Sequence, residues 1–311
     1  MNHADGRHPR LASRLQLLGA ATLFSTGGAG IKACALDGWQ IACFRAGIAA
    51  LVVAALVPRS RPGGTRTRSA HGGPGSRRGW TPRTALVAAA YAATVILFVQ
   101  ANKLTTAASA IFIQAASPLF IPALGPWLIG ERPRARDAPF MAALIVGLAL
   151  FFAGAPDEHA TAPNPRLGNA LAAVSSFTVA LMMMGLRSLG KRADGSAPAA
   201  VVLGNLMAFA VALPFSLPVI ARPADAAILV YLGVFQIGLA YPLLLSALRR
   251  VSALEASLLL FIEPVLSPLW AWLLHGERPG AGAMAGGALI LVATAVKTAI
   301  DARAEPAVPT V

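Results

Sequence analysis

Long apolar runs, separated by short polar stretches, follow one another along nearly the whole chain. A helix needs about 20 mostly apolar residues to cross roughly 30 Å of hydrocarbon. Ten runs meet that length, at about 15–34, 39–57, 84–102, 105–129, 138–154, 167–186, 197–219, 224–247, 251–274 and 280–300. The pattern predicts an all-α integral membrane protein with ten transmembrane helices. The third and fourth spans have the weakest division, a short polar stretch around Asn102–Lys103.

Two of the runs repeat each other. Thr105–Pro133 (TTAASAIFIQAASPLFIPALGPWLIGERP) and Val251–Pro279 (VSALEASLLLFIEPVLSPLWAWLLHGERP) align without a gap. They share Ala107/Ala253, Ala110/Ala256, Pro118/Pro264, Pro122/Pro268, Leu128/Leu274 and the closing Gly130–Pro133 and Gly276–Pro279. The copies lie five spans apart. Five is odd, so they face opposite sides of the bilayer, as in an inverted repeat about an axis in the membrane plane. The chain then divides into a tail (1–13), a first five-helix repeat (14–154) with a basic loop (58–83), a linker (155–166), a second repeat (167–300) and a tail (301–311).

Charge fixes the expected orientation. With the N-terminus in the cytoplasm, 20 of the 26 Lys and Arg residues fall on the cytoplasmic side. Only Lys103, Arg166, Arg222 and Arg278 fall outside, with Lys32 and Arg45 in or beside spans. Both termini and the Gly/Pro/Arg-rich loop Arg59–Arg83 are expected in the cytoplasm of a bacterial cell, with the protein in its inner membrane. Hydrophobic residues are 56% of the 311 and charged residues 13%, against about 25% charged in soluble domains. The net charge of +13 therefore belongs to loops, and nucleic acid is not an expected partner. The basic N-terminus followed by apolar sequence is read as a retained helix rather than a cleaved signal.

With ten spans in two inverted fives, each half carrying a Pro-rich apolar run closed by Gly-Glu-Arg, the chain resembles the drug/metabolite transporter superfamily, and within it the EamA-type transporters. The resemblance covers about 14–154 and 167–300. It extends to Arg45 in the second span, where such proteins commonly carry an arginine, and to Glu263-Pro264 in the ninth. One departure is that the corresponding stretch of the seventh span offers Asn205 and no arginine. The resemblance implies a carrier with a cavity lined mainly by the first, third, fourth, sixth, eighth and ninth helices.

Ionisable groups at bilayer depth are costly, about 2.5–3.5 kcal/mol on insertion scales, and normally face a cavity or a partner. Glu263 lies about 18 Å into its span at 1.5 Å per residue. Pro264 removes a backbone donor beside it and frees a carbonyl one turn earlier. Glu263 is thus a candidate for a substrate ammonium or a coupling proton, or alternatively a buried acid, neutral or paired with Arg45, that holds helices together. On the fourth span Gln114 and Ser117 share an i, i+3 face and are placed to hydrogen-bond a substrate opposite Glu263. Gln236 and Tyr241 on the eighth span, and Asn205, are polar at similar depth. Glu255, about 80° round from Glu263, is expected at the solvated end. Lys32 is expected to snorkel to the headgroups. Glu131 and Glu277 are expected at water-exposed helix ends, locking the neighbouring turn. Gly282 and Gly286 predict close helix packing within the chain, with a homodimer through the tenth span as the other use.

No enzyme is expected. The chain has no phosphate loop, no nucleophile–base–acid set, and no metal-ligand cluster among its five histidines; no cofactor follows from the sequence. Cys34 and Cys43 read as apolar packing residues. The sequence supports a secondary active transporter that exports a small metabolite, such as an amino acid, by alternating access. Its partners are the substrate, the lipid bilayer and a coupling proton. The alternatives are a proton-coupled multidrug antiporter, disfavoured by a first span without Asp or Glu, and a non-transporting scaffold or sensor.

Overall fold

Among the described residues each predicted run forms helix. The computed structural model describes residues 7–56, 81–120, 124, 137–153, 161–190, 196–248 and 259–304, the side chains of 7–10 and 301–304 excepted. In chain order the helices are α1 (Arg7–Ser25), α2 (Gly27–Ala33), α3 (Gly38–Leu56), α4 (Pro82–Leu104), α5 (Ala107–Gln114), α6 (Ala138–Ala153), α7 (Pro165–Gly190), α8 (Ser196–Ala212), α9 (Pro223–Tyr231), α10 (Ala240–Ala247), α11 (Ile262–His275) and α12 (Ala281–Ala304). No strand occurs among the described residues. Six of the helical stretches are long and apolar enough to cross a membrane, and Ala107–Leu119 and Ala138–Ala153 are shorter apolar helices.

The first span breaks between α1 and α2. There the Ser25 and Thr26 hydroxyls donate to the Thr22 and Leu23 carbonyls, each at 2.7 Å, in competition with the helical ladder. The eighth span is continuous from α9 to α10 but passes through a π-helical stretch, Leu232–Leu239. Such wider turns are rare and concentrate at functional sites. Asn102 and Lys103, expected between the third and fourth spans, instead form the last turn of α4. The division falls at Thr105 and Thr106, because the Thr106 side chain caps α5 by accepting from the Ser109 amide at 3.1 Å.

Helices of the two sequence repeats interleave. α3 packs on α8 and the π-helical stretch, α4 on α7 and α8, α6 on α12, and α1 on α10 and α11. The small-residue face of α12 is covered from within the chain: a Cβ at Gly286 would lie 2.5 Å from the Gly147 carbonyl on α6. Large apolar side chains such as Leu51, Leu86, Val265 and Leu274 point outward, as lipid contact requires. Ala residues dominate the buried positions of α3, letting its backbone approach α8.

Candidate functional site

Where the spans are interrupted, polar side chains gather. Helix α5 ends at Gln114, two turn residues follow, and Ser117 opens a single 3₁₀ turn, Ser117–Leu119. Pro118 has no N–H to give to the Gln114 carbonyl, which instead accepts from the Ser176 hydroxyl of α7 at 3.3 Å. The Gln114 side chain donates to Ser175 Oγ, also on α7, at 2.8 Å. Gln114 thus ends α5 at the break, and Ser117 begins the 3₁₀ turn beyond it. Gln114 faces the sixth span, while no hydrogen bond joins Ser117 to Glu263 among the described residues.

Glu263 stands in the first turn of α11, directly after the turn at Phe261, at the position that matches Ser117 in the repeat. It is half-buried, and the tyrosine whose hydroxyl lies within its electrostatic reach is Tyr241 on α10. No ion pair joins it to Arg45, so the bracing role considered for the two residues is not what the structure shows.

Arg45, Tyr241 and Asn205 do come together, around a residue that the sequence reading missed. Tyr91 of α4 is fully buried; it accepts from Asn205 Nδ2 of α8 at 3.0 Å, and its ring centroid lies 5.0 Å from that of Tyr241. Arg45 of α3 is 2% exposed and has these two tyrosines as its charge-sensitive neighbours. The Tyr241 hydroxyl also points at Met182 Sδ on α7, 3.9 Å away, and its ring meets Phe24 edge-on. Thr94 and Thr178, bonded at 2.8 Å, continue the seam between α4 and α7. Nothing in the apolar stretch AAAYAATV marked Tyr91 out from an ordinary core aromatic.

Gln236 lies apart from that cluster. It is buried in the π-helical stretch against the break in the first span, where its Nε2 would be 2.7 Å from a Cβ on Gly27. The same break is held by Tyr231, whose hydroxyl bonds Thr26 Oγ1 at 2.9 Å, and by Trp270, which donates to Ser25 Oγ at 3.0 Å.

Two expectations at the predicted outer face are corrected. Glu277 is 2% exposed, not at a water-exposed helix end, and Lys32 does not snorkel. They form an ion pair at 3.1 Å with both side chains 2% exposed. Glu277 also accepts from the Ala107 amide at 2.9 Å and from Thr161 Oγ1 at 2.5 Å, while Lys32 donates to the Thr105 and Thr161 carbonyls. The physical reason is the N-terminus of α5, whose free amides and dipole attract a carboxylate. Gly276, at φ +67°, is the left-handed residue that ends α11 and turns Glu277 inward. Nearby, Asp225 accepts from the Ala35 amide at 2.8 Å and from the exposed Arg222, whose guanidinium its hydrogen bond holds above the ordinary value. Glu131, Glu255 and most of loop 58–83 lie outside the described residues.

Among the described residues no His, Cys, Asp and Glu group could hold a metal ion, and both cysteines are free and buried. Residues 13–153 and 166–298 each match the model of the EamA-like transporter family. Sixteen chains of solved structures are similar to this one. One of them, described only as the crystal structure of a protein, is 18% identical over 94% of this chain and 98% of its own, with a TM-score of 0.60. At that identity the likeness shows the fold alone. No curated protein matches.

Proposed function

The chain belongs to the EamA-like transporter family and is a membrane transporter of small molecules; we propose that it is a secondary carrier that exports a small polar metabolite, with Glu263 as its coupling or substrate-binding carboxylate. The observation that carries this reading is Glu263 itself: a half-buried acid without an ion-pair partner among the described residues, at a proline-marked interruption deep in a span. Pro264 removes the donor that would otherwise engage the Leu260 carbonyl, leaving an unengaged carbonyl one turn before the carboxylate. Oxygens of that kind, at an interrupted span near mid-membrane, suit a proton or an ammonium group.

The interleaving of the repeats bears on how access alternates. With α3 wedged on α8 and α4 on α7, the two sequence repeats are poor candidates for separate rocking bodies. The breaks at Ser25–Gly27, at residues 115–116 and at Phe261, together with the π-helical stretch, are where bending costs fewest backbone hydrogen bonds. Alternation by bending at these points, with the Lys32–Glu277 network closing the predicted outer face, fits the packing. Neither the multidrug reading nor the scaffold reading is favoured by a specific contact.

Purified protein in proteoliposomes loaded with mixed amino acids provides the test. Efflux that quickens with an inward proton gradient is the expected result. No movement of any amino acid or of cationic dyes, with or without the gradient, would return the protein to a scaffold or sensor role.

A further inference from the structure

Arg45 is a second charged group in the seam, and its immediate surroundings do not neutralise it. Its Nε and Nη1 atoms are buried and have no hydrogen-bond acceptor, and the Oδ1 atom of Asn205, whose amide donates to Tyr91, is buried without a donor. An arginine does not escape burial by losing its proton. A buried cation left without an anion or a full set of acceptors is strongly destabilising, so such a group is normally found with a partner. The titratable side chains that act on its charge are the two tyrosines, and Glu263 makes no ion pair with it. The Tyr241 hydroxyl spends its proton on Met182 sulfur at 3.9 Å, a weak acceptor that a better one would displace.

Resting on the carrier reading above, we propose that Arg45, with the hydroxyl of Tyr241 beside it, is an oxyanion-binding subsite that takes a carboxylate of the transported molecule. Guanidinium N–H groups and a phenol hydroxyl are donors only toward such a group, and they supply the acceptor-rich partner that Arg45 lacks. Tyr241 feels the charge of both Arg45 and Glu263, so a molecule with a carboxylate at one end and an ammonium group at the other meets a complementary charge at each.

The test is thermal unfolding of the purified full-length protein, titrated with acetate, phosphate and methylammonium, for wild type, Arg45→Gln and Arg45→Lys. Acetate raises the wild-type Tm in a saturable way, by on the order of 1–3 °C. Arg45→Gln loses that response yet is no less stable than wild type without ligand, since the substitution removes an unneutralised buried charge. Arg45→Lys keeps the charge without the planar fork and shows a weakened response; it carries the comparison alone if Arg45→Gln does not fold. An Arg45-dependent rise with phosphate in place of acetate keeps the oxyanion subsite and moves the substrate to phosphorylated compounds. A wild-type Tm indifferent to both anions, or an acetate response that survives in Arg45→Gln, overturns the subsite. Flux that depends on Glu263 but not on Arg45 would end the subsite and leave the carrier; an Arg45-dependent acetate response without flux would do the reverse.

Discussion

Glu263 and Arg45 occupy different helices of the seam, and with no ion pair between them their contributions separate. The stability effects of Glu263→Gln and of Arg45→Gln, the latter no loss, therefore add in the double variant to within about 0.5 kcal/mol, as for uncoupled sites. Recovery of stability in the double variant by thermal unfolding would instead revive a braced pair. Glu263→Asp withdraws the carboxylate by about one carbon–carbon bond and keeps partial flux with altered apparent affinity, whereas Glu263→Gln stays folded and loses the pH dependence of flux. At this scale the sequence shows what is unusual about a residue but not what surrounds it. Glu263, Arg45 and Tyr241 were legible because charge or a hydroxyl at bilayer depth stands out against Leu and Ala. Tyr91 carries the same hydroxyl but was not, since a lone aromatic among alanines reads as core and its partners Asn205 and Tyr241 are far away in sequence. Glu277 misled because its partners, Ala107 and Thr161, are 170 and 116 residues away.

Elements followed the hydrophobic pattern closely, and their ends were set by caps and prolines. Thr106 divides the third and fourth spans where polarity alone suggested Asn102–Lys103, because capping depends on one hydroxyl and one amide rather than on mean polarity. The Gly-Glu-Arg-Pro closure of α11 was legible as a helix end, and its glycine does end the helix; the folding of Glu277 onto α5 was not legible, because it depends on tertiary placement. The Lys32–Glu277 pair makes a sharp prediction at this scale. Glu277→Gln or Lys32→Met alone leaves one buried charge and costs about 3–5 kcal/mol, while Lys32→Met with Glu277→Leu recovers most of it. Thermal unfolding of the three variants decides; small, additive losses would mean that water reaches the pair. Gly168 tests the crossing of α7 over the end of α4. A Cβ there would meet the Thr105 amide nitrogen and the Leu104 carbonyl carbon at 2.6 and 2.9 Å, both backbone atoms unable to step aside. Gly168→Ala should cost about 1–3 kcal/mol. Gly190→Ala, with nothing within 4 Å, should cost nothing measurable.

For the whole molecule, the repeat and the odd number of spans between its copies predicted two related halves, and the family match over residues 13–153 and 166–298 agrees. Their interleaving was not legible, since which helix lies beside which depends on small-residue faces spread over both repeats. Orientation rests on the Lys and Arg distribution and is open to a direct check. Ile220, 89% exposed between the seventh and eighth spans, is predicted to lie outside. After replacement of Cys34 and Cys43, Ile220→Cys should react with an impermeant thiol reagent in intact cells; labelling only after permeabilisation would invert the assignment. In the proposed mechanism the molecule moves a metabolite outward through a step that needs the Glu263 carboxylate. The most direct measurement is an untargeted comparison of compounds in the medium of cells expressing wild type or Glu263→Gln at equal membrane levels. At least one small polar compound is expected to accumulate outside with wild type and to stay at the vector-only level with Glu263→Gln. Equal accumulation in both, or none in either, would contradict it.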